Sequence, residues 1–229
     1  MTERNHSKLK FVGLHAHCCV GSPFDALGYP SEHMDYAFEN GMDSMALTDH
    51  GNMNGFSWQL EHAKKMKREG KRFKPIFGCE AYYIPDILEW RKEHEAAKEE
   101  KKERKKKIAK GLSIEDSEGG RKLVRNSHFL LLAKNQKGLN NLFHLVSESY
   151  KDGNRFMKPR IDLNLLRKYR EGLIATTTCI SGPFAKVVWQ NPHLTHPELL
   201  QLMRPLVEEF LEVFGNDYYC ELQWKNNTS

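Results

Sequence analysis

The reading turns on Phe11 to Gly55: FVGLHAHCCVGSPFDALG at residues 11–28, a short helical interval, then MALTDHGNMNG at residues 45–55. Each end reads as an apolar strand entering a turn crowded with metal-capable groups. His15 and His17 alternate on the first strand, so their imidazoles point the same way and can share one ion. The second strand, Ser44 to Thr48, delivers Asp49 and His50 into a loop bounded by Gly51 and Gly55. Two strand ends presenting imidazole and carboxylate groups on one side predict a single polynuclear site.

Outward from that stretch the chain alternates strand and helix. Pro30 opens a helix with Met34, Ala37 and Phe38 on one face, ended by Gly41. Phe56 to Glu69 has helical spacing, and Lys74 to Tyr83 follows as a strand carrying Gly78-Cys79-Glu80. Ser127 to Ala133 is a strand that holds His128. Leu139 to Tyr150 is a helix with Leu142, Phe143, Val146 and Tyr150 toward the core. Gly172 to Thr177 is a strand running into Cys179, about Pro197 to Phe214 a helix, and Tyr218 to Gln223 a last strand. This β, α, β, α, β order predicts right-handed crossovers and a parallel sheet or α/β barrel forming one domain. An insertion at about 88–126 breaks the pattern. KEHEAAKEEKKERKKKIAKG is nearly all charged and has no apolar face, so it reads as an exposed helix or a disordered segment. Its basic run, Lys101 to Lys110, reads as solvated surface rather than a phosphate contact.

Composition narrows the class. Of 229 residues, 39% are hydrophobic and 28% charged, which fits a folded core with a polar appendage rather than disorder throughout. No run of about 18 apolar residues is present, so no spanning helix and no membrane partner are expected. MTERNHSKLK lacks the apolar core of a signal peptide, and the five cysteines suit free thiols or metal ligands better than a disulfide framework. A cytoplasmic location follows. The net charge of +5 permits a nucleic-acid partner without selecting one.

The strand ends deliver His15, His17, Asp49, His50, Glu80, His128 and Cys179, and imidazole, thiolate and carboxylate are the usual ligands of zinc and similar ions. Singly, each has a plainer explanation as a hydrogen-bonded surface group. Their recurrence at successive strand ends favours a shared site at a barrel mouth. Cys18 and Cys19 diverge as neighbours on an extended segment and are read as structural.

The order HxH, TDHGNMNG, PIFGCE, SHFLLLAKNQKGLNNLF, GLIATTTCISG and YYCELQ resembles the polymerase and histidinol phosphatase (PHP) domain at the N-terminus of the bacterial DNA polymerase III alpha subunit. The charged insertion is similar to phage-encoded relatives, which implies a host cytoplasm. The resemblance implies a distorted seven-stranded (β/α) barrel with up to three divalent ions, zinc or manganese. His15 and His17 would hold one ion with Glu80. Glu80 would bridge to a second held by His128 and Cys179, and His50 would serve a third with Asp25 as companion. Asp49 would stand behind the ligands and orient an imidazole.

The implied chemistry is metal-assisted phosphoester hydrolysis of the 3′-to-5′ proofreading exonuclease type, with DNA as partner and no covalent role for Ser181. The family's last strand ends in an Asp-x-His type motif, and the sequence ends at Thr228-Ser229 before it. The polymerase palm is likewise outside the sequence. The expectation is therefore a single domain over 1–229, incomplete at its C-terminus and completed by the remainder of the polymerase subunit or a complementing chain. Two other readings stand beside it: a non-catalytic module that braces the polymerase, and a stand-alone phosphatase on a small phosphomonoester.

Overall fold

The computed structural model describes residues 11–109 and 126–223. The polar N-terminus, the end of the charged insertion with Lys110, and the final residues of the sequence lie outside the described residues. Among the described residues no helix is long and apolar enough to cross a membrane.

The chain runs through α1 (Pro30–Glu39), β1 (Ser44–Leu47), α2 (Phe56–Arg68), β2 (Lys74–Tyr83), α3 (Ile87–Ala109), β3 (Ser127–Ala133) and α4 (Gln136–Ser149). It continues through β4 (Arg155–Phe156), β5 (Lys158–Pro159), α5 (Leu163–Tyr169), β6 (Leu173–Thr176), α6 (Pro183–Gln190), α7 (His196–Phe214) and β7 (Tyr218–Tyr219). Local chemistry sets the helix starts. The Asn135 side chain accepts from the Gly138 N–H at the head of α4, and Asp162 accepts from the Leu165 N–H at the head of α5. Both satisfy N–H groups that a first helical turn leaves unpaired.

Five strands form one sheet in the order β1-β2-β3-β6-β7, and β4 with β5 makes a separate small hairpin. The expected parallel sheet is corrected here to a mixed one. β1 and β2 are parallel, as are β6 and β7, but β3 runs antiparallel to both β2 and β6. The physical reason lies in the strand ends and in α3. Tyr83 at the end of β2 pairs with Ser127 at the start of β3, so the excursion leaves and returns at the same edge. A crossover helix must bury a face along the sheet. In α3 only Ile87 and Trp90, near its start, are buried, so the rest of that helix projects.

The first predicted strand is reduced to a single bridge. Gly13 pairs with Met45, and the Ala46 and Thr48 N–H groups donate to the carbonyls of Gly13 and Ala16. That suffices to hold the His15–His17 segment alongside β1.

Two apolar cores support the sheet. One joins Phe129, Leu131, Leu142, Leu145, Leu166 and Phe210 from β3, α4, α5 and α7. The other joins Cys18, Met34, Met45, Leu47, Ala63 and Met66 around β1. Each fully buried large side chain contributes roughly 1.5–3 kcal/mol. The α4 face is rotated from the predicted one: Leu142 and Leu145 are buried, while Phe143 and Tyr150 are exposed. Phe143 packs edge-on against Phe56 instead. On α7, Phe210, Val213 and Phe214 are buried, and Leu200 and Leu211 face out.

Candidate metal centre

The centre is built around Glu80, a fully buried carboxylate in the second half of β2. The β1–β2 pairing continues past β1: His50 bridges Glu80, the Glu80 N–H donates to the Asp49 carbonyl, and the Gly51 N–H donates to the Glu80 carbonyl. This extension sets His50 beside Glu80. Because β3 is antiparallel, His128 at its start, not its end, reaches the same mouth, with Tyr82 as its cross-strand partner. The turn after β6 brings Cys179 there, fastened by the His128 N–H donating to the Ser181 carbonyl.

The two oxygens of Glu80 divide the ring of donors. Oε1 lies 3.3 Å from His15 Nε2, 3.0 Å from His128 Nδ1 and 3.4 Å from Cys179 Sγ. Oε2 lies 3.4 Å from His17 Nε2 and 2.8 Å from His50 Nδ1. On the solvent side, His50 Nε2 is 3.1 Å from Asp25 Oδ2. The His17 and His50 rings stack with centroids 4.2 Å apart. All seven residues expected as ligands thus converge.

Asp49 does different work from the expected orienting of an imidazole. Its buried carboxylate accepts from the Cys18 N–H at 2.8 Å, the Cys18 thiol at 3.0 Å and the Ser22 hydroxyl at 2.9 Å. Ser22 Oγ in turn accepts the His50 N–H at 3.1 Å. Asp49 therefore ties the His15–His17 loop to the His50 loop through backbone and hydroxyl groups. Burial and the Asp49 carboxylate push the Cys18 thiol up to about 12, which keeps it protonated and donating.

Sequence reasoning did not assign Glu221. Its Oε1 is 2.6 Å from His15 Nδ1, and its Oε2 accepts from the Thr176 hydroxyl at 2.6 Å. Gln223 donates to the same carboxylate at 2.8 Å. The available signal was an acidic residue inside the strand-like run YYCEL. A carboxylate on the far nitrogen of an imidazole fixes the tautomer that aims the near nitrogen.

Electrostatics follow the packing. Burial alone would lower the His15 value, but hydrogen bonds to Glu221 and Glu80 raise it to about 9. Burial would raise the Glu80 value, yet hydrogen bonds from His128, His15 and His50 outweigh it and hold the carboxylate below its ordinary range. His17 is lowered by burial and by neighbouring His50. Burial, with Glu80 adding, pushes the Cys179 thiol up to about 11.

The donor set fits divalent cations. One carboxylate faces four imidazoles and a thiol, a gathering of lone-pair donors around a single anion. His17 Nδ1 is buried without a hydrogen-bond partner. Two triplets, His15 with His17 and Glu80, and His50 with Glu80 and His128, each bring three ligand atoms within 4.8 Å of one another. Nitrogen and carboxylate donors at this density are the usual cage of zinc and similar ions.

A family model described as the PHP domain matches residues 13–225. The chain belongs to the PHP family. This PHP chain is 34% identical over 214 residues to DNA polymerase III subunit alpha of Borreliella burgdorferi, covering 93% of this chain and 15% of that one. It is 34% identical over 216 residues to the same subunit of Aquifex aeolicus, covering 94% and 16%. The PHP chain therefore spans about one-sixth of the length of these curated relatives. Among solved structures, a protein of Bifidobacterium adolescentis provisionally named a metal-dependent phosphoesterase aligns with 91% of this chain and 76% of its own, at a TM-score of 0.40 and 10% identity. An amidohydrolase from Chromobacterium violaceum aligns with 60% of this chain and 32% of its own, at a TM-score of 0.33 and 17% identity.

Proposed function

We propose that this PHP domain is the N-terminal module of a DNA polymerase III alpha-type subunit, and that its mouth hydrolyses phosphoester bonds at the 3′ ends of DNA. The observation that carries the reading is the buried Glu80 carboxylate ringed by His15, His17, His50, His128 and Cys179. The small share of the relatives that the chain spans supports its place within a larger polymerase. The sheet closes into a distorted barrel in which the His15 segment meets the residues after β7, a reading supported by the His15–Glu221 contact and by the approach of Gln223 Nε2 to His15 at 3.3 Å.

His15, His17 and Glu80 would hold one ion, Glu80 with His128 and Cys179 a second, and His50 with Asp25 a third. Divalent ions, when bound there, supply Lewis-acid activation of water for attack on a phosphoester. The residues do the positioning. Glu221 holds the Nδ1 side of His15 so that Nε2 faces Glu80, and the Asp49–Ser22 pair fixes the His50 backbone. Glu80 spans both halves of the ring with its two oxygens, so it sets their spacing. No side-chain nucleophile is required: the Ser181 N–H points at Cys179 Sγ from 3.4 Å and serves the thiol.

The test is elemental analysis of the purified chain beside Glu80→Gln, with nucleotide release from 3′-labelled single-stranded DNA measured on both. About two or more metal equivalents, lost in the variant together with release, is the expected result. A chain that binds no divalent metal and releases no nucleotide sinks the proposal.

A further inference from the structure

Beside the candidate metal centre stands the β4–β5 hairpin, which supplies none of the donor atoms grouped around Glu80. Lys158 Nζ sits 4.2 Å from the centroid of the Tyr82 ring, and that ring stacks toward His50 at 6.1 Å and stands edge-on to His128 at 5.4 Å. An ammonium is thus parked one aromatic ring away from two candidate ligands. Lys158 is exposed, and among the described residues no carboxylate pairs with it. Its neighbour Pro159 packs against the His50 loop, where a Cβ on Gly51 would lie 2.9 Å from Pro159.

The hairpin is braced from beneath. Buried Arg160 donates through Nη1 to the carbonyls of Phe156 and Lys158 at 2.9 and 2.8 Å, with its guanidinium 4.1 Å from the Trp90 ring centroid. Arg91 donates to the Gly153 carbonyl at 2.6 Å. Toward solvent the hairpin presents Arg155 and Lys158 together with two apolar side chains. Met157 is 87% exposed and holds a left-handed φ of 59°, and half-exposed Phe156 rests on the His94 ring at 4.2 Å. A non-glycine residue in that region costs of order 1–3 kcal/mol, and such strain gathers at binding sites. A single exposed apolar side chain is ordinary on any surface. A braced, strained apolar tip beside a lysine that no described carboxylate neutralises is the arrangement that single strands require: a cation for phosphate and a flat or soft surface for a base.

We propose that the β4–β5 hairpin is the strand-binding lip of the centre: Lys158 takes a backbone phosphate of single-stranded DNA, and Met157 with Phe156 packs against the adjoining base. The choice of DNA rests on the function proposed above. The experiment is fluorescence anisotropy of the full chain with a labelled, hydrolysis-resistant phosphorothioate oligothymidylate over a salt series. Lys158→Ala is expected to weaken binding by about tenfold and to flatten the dependence of log affinity on log salt by about 0.7, with Lys158→Arg restoring both. Met157→Ala is expected to weaken binding by about fivefold or more with the salt slope unchanged. Parental affinity and slope in Lys158→Ala, or no single-strand binding by the parent, overturns the inference. Because the assay needs no turnover, a chain that binds through Lys158 yet releases no nucleotide keeps this inference and sinks the hydrolytic reading alone.

Discussion

Replacing Asp49 by alanine tests whether one buried carboxylate joins the two loops that frame the site. The substitution removes the acceptor for the Cys18 N–H, the Cys18 thiol and the Ser22 hydroxyl, all within 3.0 Å. A buried donor left without a partner costs about 1–3 kcal/mol, so the Cys18 amide and Ser22 hydroxyl together cost about 2–6 kcal/mol. Against the total of roughly 5–15 kcal/mol typical of a domain, that is a large fraction. Asp49→Asn is the informative partner. The Cys18 N–H and the Ser22 hydroxyl both donate to Oδ1, which asparagine keeps, and its amide then faces the Cys18 sulfur. It is expected to cost about 1 kcal/mol. Urea unfolding followed by tryptophan fluorescence, with metal content measured alongside, gives both numbers. Asp49→Ala within about 0.5 kcal/mol of the parent would refute the linkage, and equal losses in both variants would show that charge, not the acceptor pair, is what the fold needs.

Glu221→Gln should lower metal affinity by about 10- to 100-fold in chelator competition while the far-UV spectrum stays unchanged, since it loosens His15 without removing a ligand. Gly138→Ala should lower the melting temperature by about 5–10 °C, because the added Cβ would lie 1.7 Å from the Gly172 carbonyl oxygen and the head of α4 would have to move. In metal-stripped protein, the raised His15 value stabilises fully below its ordinary 6.5, and that contribution is lost as pH rises through about 9. The depressed Glu80 contributes above its ordinary 4.5, and that contribution is lost as pH falls through its depressed value. The urea midpoint of the stripped chain should therefore fall from pH 6.5 to 9, and saturating zinc should abolish that slope.

Strands β2 and β3 were readable to the residue because each carries a dense run of apolar and aromatic side chains, interrupted in β2 by Gly78 and Glu80. Their relative direction was not. Direction depends on where the chain returns after Tyr83, and the charged run that follows Trp90 has no apolar face to record it. Helix α5 escaped notice because seven residues are too few for a 3.6-residue period to stand out, although Asp162 at its head was a usable capping signal. The hairpin strands, two residues each, carry no alternation at all. In the centre, His15, His17, His50, Glu80, His128 and Cys179 were legible because few plainer roles bring those side-chain types to successive strand ends. Glu221 was not, because a single acid after two tyrosines is indistinguishable from a surface residue until the His15 segment is seen beside it.

The contact between His15 and Glu221 joins positions 206 residues apart. During synthesis the His15 segment leaves the ribosome first and must wait for nearly all of the described chain before its imidazole gains the carboxylate that aims it. Until then the histidine is free to turn. The order of translation thus makes the aiming of His15 a late event, and a chain that stalls before residue 221 leaves that imidazole without its carboxylate.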